Sequence, residues 1–179
     1  MPSRAQRVTY SALFAVLMVV GAYLKVPLLQ VPLTLQTFFV YLSGLLLDPT
    51  TAASAQAIYL LMGLTGLPVF AGPLVGPQAF VGPTGGFLLS FPIAALVEAA
   101  LSSRRSRMSD VAGLLSAFVV IFGMGLTYFM AYFSKGEPVG VLTAFLPFML
   151  WDGVKMALAY VVAGGVRKFV RQRITSGRP

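Results

Sequence analysis

Six apolar runs decide what this chain can fold into. They cover residues 8–24, 35–47, 51–67, 87–101, 111–133 and 141–166, and the only charged side chains inside them are Glu98, Asp152 and Lys155. A bilayer core of about 30 Å takes about 20 apolar residues per helical crossing. A chain of 179 residues therefore has room for six such crossings and short connections. A soluble domain averages about 25% charged residues; this chain has 10%. The pattern predicts an all-α membrane protein with six transmembrane helices. No repeat or linker divides it, so residues 1–179 read as one domain. Residues 4–24 have the basic start of a signal peptide, but no small-x-small cleavage site follows the long apolar run, and they read as the first helix.

Composition removes whole classes of chemistry. The chain has no histidine and no cysteine, which excludes Ser-His-Asp and Cys-His nucleophile systems, HExxH zinc sites and thiolate metal centres. No GxxxxGK[ST] occurs, so nucleotide has no P-loop here, and ATP-driven transport would need another subunit to bind the nucleotide. An intramembrane enzyme would need clustered acids, histidines or metal ligands; one carboxylate beside one lysine is thin equipment.

Charge sets the orientation. The formal charge is +8, and all nine arginines fall in three places: Arg4 and Arg7, then Arg104, Arg105 and Arg107, then Arg167, Arg171, Arg173 and Arg178. With six spans, those places share one side of the membrane. This is the positive-inside pattern and predicts both termini in the cytoplasm. The basic tail reads as a topology and anionic-lipid signal. No aromatic interleaving suggests a nucleic-acid surface.

The outward connections are then residues 25–34, 68–83 and 134–140. KVPLLQVPLT and PVFAGPLVGPQAFVGPTGG break helices with proline and glycine, yet both are apolar. Irregular backbone near a membrane is tolerated where it is buried in protein or lines a cavity. Both stretches are expected to fold down as lids over an outward-facing pocket. On the inner side, Asp48-Pro49 reads as an N-cap followed by proline at the first helical position. Ser109-Asp110 reads as the start of the fifth helix. Glu98 is expected to snorkel toward Arg104 and Arg105, with a contact to a partner subunit as the alternative.

Asp152 and Lys155 are the remaining candidates. Three residues apart, they share one face of the last helix. Charges inside a span usually face the bundle interior or a cavity. Two readings stand: an ion pair that orients the helix, or the polar end of a pocket for a small organic solute with donors and acceptors. On the first helix, Ser11 and Ala15 lie four apart, a small-xxx-small face for close helix approach, which Ala12 and Val16 extend less well.

Four segments carry a family resemblance: VPLTLQTFFVYLSGLLLDP (31–49), YLLMGLTGLPVFAGP (59–73), VGPTGGFLLSFPIAA (81–95) and PFMLWDGVKMALA (147–159). In their joint order and spacing, TLQT, GLPVFAG, GPTGGF and DxxK resemble the BioY-type biotin transporters. These are the substrate-capture (S) components of energy-coupling-factor (ECF) vitamin uptake systems. One departure is Leu150-Trp151 before the aspartate, where the family often has a small-residue turn. The resemblance implies a non-enzymatic protein of the cytoplasmic membrane with no cofactor of its own. It also implies partnership with a membrane T component and two cytoplasmic ATPases. Biotin is then the ligand: Asp152 accepts from the ureido N–H groups, and Lys155 donates to the ureido carbonyl or to the carboxylate. Phe70, Phe87 and Phe91 pack on the rings, Thr34, Gln36, Gln78 and Thr84 offer neutral hydrogen-bonding groups, and Gly85 and Gly86 offer backbone. The resemblance further implies that Ser11, Ala12 and Ala15 dock on the T component. Another vitamin-sized solute on the same architecture is the alternative.

Overall fold

A computed structural model describes residues 3–26, 33–72, 74–134 and 138–176. Its helices are α1 (Arg4–Tyr23), α2 (Gln36–Leu46), α3 (Pro49–Leu64), the single turn α4 (Gln78–Val81), α5 (Gly85–Leu101), α6 (Arg107–Phe133) and α7 (Pro138–Ser176). A two-residue strand after α1, β1 (Lys25–Val26), pairs antiparallel with β2 (Leu33–Thr34) just before α2. The prolines at 27 and 32, and the whole of residues 27–32, lie outside the described residues.

Local chemistry explains the helix starts. Ser3 and Gln6 form a reciprocal capping box at α1, and Ser106 and Ser109 form another at α6. Asp48 caps α3 ahead of Pro49, taking the Thr51 hydroxyl at 2.6 Å and the Thr50 hydroxyl at 2.7 Å. Burial raises the Asp48 pKa, but these hydrogen bonds, the Thr51 N–H and the nearby Arg7 outweigh it and hold the carboxyl below its ordinary range. The start of α6 at Arg107 corrects the reading of Ser109-Asp110. Ser106 is the cap, and Asp110 sits one turn in, buried against α7.

Four helical segments are long and apolar enough to cross a membrane: Arg4–Tyr23, Gly85–Arg104, Arg107–Phe133 and Pro138–Arg173. The remaining two long helices are shorter. At 1.5 Å per residue, the 11 residues of α2 reach about 17 Å and the 16 of α3 about 24 Å. The reason is local: α2 cannot begin until β2 ends, and Asp48-Pro49 starts α3 almost at once. The molecule is apolar inside and out. Tyr41, Tyr59, Met18 and Ile121 are fully buried, while Leu13, Val16, Val119, Leu150 and Val161 are exposed. Such an outer surface suits hydrocarbon, not water.

The small-residue face of α1 serves the interior. Ala15 is 1% exposed and the Ser11 hydroxyl donates to the Thr51 carbonyl at 3.2 Å, so α1 lies close on the alanine-rich start of α3. Of the three residues expected at a docking face, Ser11 and Ala15 are thus buried within the chain and only Ala12 is exposed. Small-xxx-small spacing permits close approach without saying to what. Ala15→Leu is accordingly expected to overpack the α1–α3 contact and cost about 1–3 kcal/mol, whereas Ala12→Leu stays within about 0.5 kcal/mol of the parent. Thermal unfolding in detergent compares the two, and equal melting temperatures would refute the internal assignment.

Glu98 also departs from expectation. It does not reach Arg104 or Arg105 but is fully buried near the end of α5, with neither carboxyl oxygen hydrogen-bonded among the described residues. Gly44 of α2 makes room for it: a Cβ there would sit 2.5 Å from its carboxyl carbon. Beside it, Arg167 of α7 bonds Asp110 at 2.5 Å and donates to the Leu45 carbonyl. Arg105 donates to the Leu46 carbonyl at 3.4 Å. These arginines satisfy carbonyls that the end of α2 leaves without helical partners.

Candidate functional site

At the opposite end from Glu98, a cavity of about 500 Å³ opens among α2, α5, α6, α7 and the irregular segment before α4. Its polar end rests on α2 and α7. Asp152 and Lys155 are 3% and 4% exposed and bonded to each other. Thr37 donates to Asp152 Oδ1 at 2.8 Å, Tyr41 donates to Oδ2 at 2.7 Å, and the Lys155 ammonium donates to the Thr37 hydroxyl at 2.7 Å. The hydroxyl of Thr37 thus receives a proton from lysine and gives one to aspartate. A carboxylate accepts about four hydrogen bonds and an ammonium donates three. Among the described residues, the network leaves one acceptor position on Asp152 and one N–H on Lys155. Each member of this buried pair thus has a hydrogen-bond partner besides the other.

Aromatic rings form the rest of the chamber. Phe87 of α5 stacks on Phe145 of α7 with centroids 5.7 Å apart, and Phe145 meets Phe148 at 5.3 Å. Across the cavity, Phe70 stands edge-on to Tyr59 at 5.4 Å. Its seat depends on Gly63, where a Cβ would overlap the Phe70 ring. The segment around Phe70 is tied to the end of α1, because Tyr23 donates to the Pro68 carbonyl and Lys25 to the Ala71 carbonyl. Apolar irregular backbone here covers a cavity, as its composition requires.

Eight of the residues singled out from sequence line the cavity: Thr34, Gln36, Phe70, Thr84, Phe87, Phe91, Asp152 and Lys155. Three do not. Gln78 is exposed at the start of α4. Gly85 and Gly86 are buried for packing: a Cβ would collide with the Phe80 carbonyl oxygen and with Cβ of Tyr128, respectively. Their bareness lets α5 start tightly against its neighbours. Sequence reasoning missed Thr37 and Tyr41, although two polar residues four apart on an apolar helix share one face. It also missed Phe145 and Phe148, for which no sequence signal separates the cavity wall from lipid-facing residues.

Fold and site together define a helical membrane protein with a solute-sized chamber, aromatic walls and a charged, hydrogen-bonded end. Residues 1–172 match the BioY family, and the chain belongs to it. It is similar to the biotin transporter BioY of Thermotoga maritima, with 37% identity over 171 residues covering 91% of this chain and 96% of that one. The probable biotin transporter BioY of Pyrococcus horikoshii is 39% identical over 160 residues, covering 89% of this chain and 95% of the relative. The fold matches the crystal structure of the S-component for biotin from an ECF-type ABC transporter, with a TM-score of 0.82 over 94% of this chain and 95% of that one, at 23% identity.

Proposed function

We propose that this chain captures biotin at the cell membrane as the S component of an ECF-type uptake system. The observation that carries the reading is the chamber itself. A volume of about 500 Å³ falls in the range of small-molecule sites, and its aromatic walls end in an acceptor and a donor on one helix face. Biotin has matching parts: two ureido N–H groups, a ureido carbonyl, an apolar thioether ring and a carboxylate. Asp152 accepts from a ureido N–H, Lys155 gives its remaining N–H to the ureido carbonyl or the carboxylate, and Phe70, Phe87 and Phe91 pack on the rings. Thr34, Gln36 and Thr84 supply neutral contacts. Membership of a family whose members are named biotin transporters supports the same ligand.

In this reading the chain crosses the cell membrane six times with both termini in the cytoplasm, as the arginine distribution favours. The chamber opens outward, and a T component with two ATPases supplies the energy for accumulation. Equilibrium titration of biotin into purified protein in detergent tests the proposal. Saturable binding is expected; its absence at micromolar ligand would end this reading. Displacement of bound biotin by another vitamin at equal concentration would shift it to that solute.

A further inference from the structure

Tyr59 does not line the chamber, yet its hydroxyl is bonded to Gln36, which does. It donates to the Val69 carbonyl at 3.0 Å, and Gln36 Nε2 donates to it at 2.7 Å. Tyr59 is fully buried and Gln36 is 5% exposed. The direction of this chain follows from chemistry. A backbone carbonyl only accepts, so the single proton of the Tyr59 hydroxyl goes to Val69. That oxygen is then an acceptor toward Gln36, and the amide must turn its NH2 to Tyr59. The alternative amide orientation would set two acceptors against each other 2.7 Å apart in a buried site. The Gln36 carbonyl oxygen has no protein partner among the described residues, and Gln36 lines the chamber. With its NH2 held by Tyr59, the amide turns that oxygen to the side away from Tyr59.

We infer that Tyr59 is a positioning residue that fixes the Gln36 amide so that the chamber reads a ligand N–H with the Gln36 carbonyl oxygen. This deepens the proposed function and rests on it for the ligand's identity. Through Val69, the relay is anchored in the segment that carries Phe70 and Ala71 of the chamber wall. The orientation of the acceptor therefore depends on that segment being seated. Specificity follows: a solute with an oxygen where biotin has the N–H would leave the Gln36 oxygen facing another acceptor.

The test uses the full chain in detergent, with biotin and its two cyclic carbamate analogues, in which one or the other ureido N–H is a ring oxygen. The parent is expected to discriminate against at least one carbamate by roughly 5–150-fold, the cost of leaving a buried polar group unpaired. In Tyr59→Phe the amide is free to turn, and the discrimination is expected to fall to a few-fold. Gln36→Met should remove the discrimination against the carbamate whose ring oxygen meets Gln36, leaving whatever Asp152 imposes on the other. For that first analogue, Tyr59→Phe should add nothing in the Gln36→Met background. Full discrimination retained in Tyr59→Phe, or additive losses in the double variant, would overturn the inference. A readout independent of biotin uses the ligand-free parent. The Gln36 side-chain NH2, assigned by its absence in Gln36→Met, should show hydrogen exchange slowed by its bond to Tyr59. Rapid exchange there would also overturn the inference, whereas failure of the parent to bind biotin would overturn only the functional reading.

Discussion

Changing Asp152 to Asn and Lys155 to Met together is expected to leave the protein folded and weaken biotin binding by roughly 10²–10⁴-fold. Either single change would leave one charge buried without its partner, typically at a cost of about 3–5 kcal/mol, and folding and binding would then be lost together. The double change removes both charges at similar volume and should be nearly neutral for stability. The new amide can accept from Tyr41 with its oxygen and donate with its NH2 to the Thr37 hydroxyl, which the change at Lys155 leaves without a donor. What disappears is the ammonium and the charged acceptor at the chamber's end. If the pair served only to orient α7, the variant would bind biotin as the parent does. Melting temperature without ligand and a biotin titration on both proteins separate the outcomes. Unchanged affinity in a well-folded double variant would remove Asp152 and Lys155 from the site.

Arg167→Met is the second large effect. Asp110 is buried at the start of α6, and Arg167 reaches it at 2.5 Å while also donating to the Leu45 carbonyl at the end of α2. Removing the arginine strands a buried carboxylate and an unpaired carbonyl, and a loss of about 3–5 kcal/mol is expected. The double variant Arg167→Met with Asp110→Asn should recover most of it. Unfolding in a denaturing detergent titration measures both. A loss below about 1 kcal/mol for the single change would mark the pair as an ordinary solvated one.

The sequence carried the fold further than the site. Apolar runs located every long helix, because hydrocarbon imposes a composition that no tertiary detail overrides. Asp48-Pro49 marked a helix start because capping is a purely local matter. Asp152 and Lys155 stood out because charge inside an apolar run is costly and needs a reason. Residues whose meaning depends on direction were not legible. Ser11 and Ala15 have the spacing of a docking face, but the same spacing suits α3, which lies beside them. Glu98 has arginines within two turns, and only the facing Gly44 shows that its carboxyl turns inward instead. Phe145 and Phe148 are apolar in an apolar helix, so nothing in the chain distinguishes a ring lining a chamber from one facing lipid. Thr37 and Tyr41 were within reach, since their four-residue spacing on α2 points both at one neighbour.

The two fastenings of α7 to α2 have a mechanical consequence. The first joins Asp152 and Lys155 to Thr37 and Tyr41, and the second joins Arg167 to the Leu45 carbonyl. They lie about 22 Å apart along one helix, with no proline between them, because Pro147 comes earlier. A rod pinned at two heights can neither rotate about its axis nor slide without straining both pins. A sideways pull at Lys155 therefore acts through a moment arm on the guanidinium of Arg167, at the far end of the bundle.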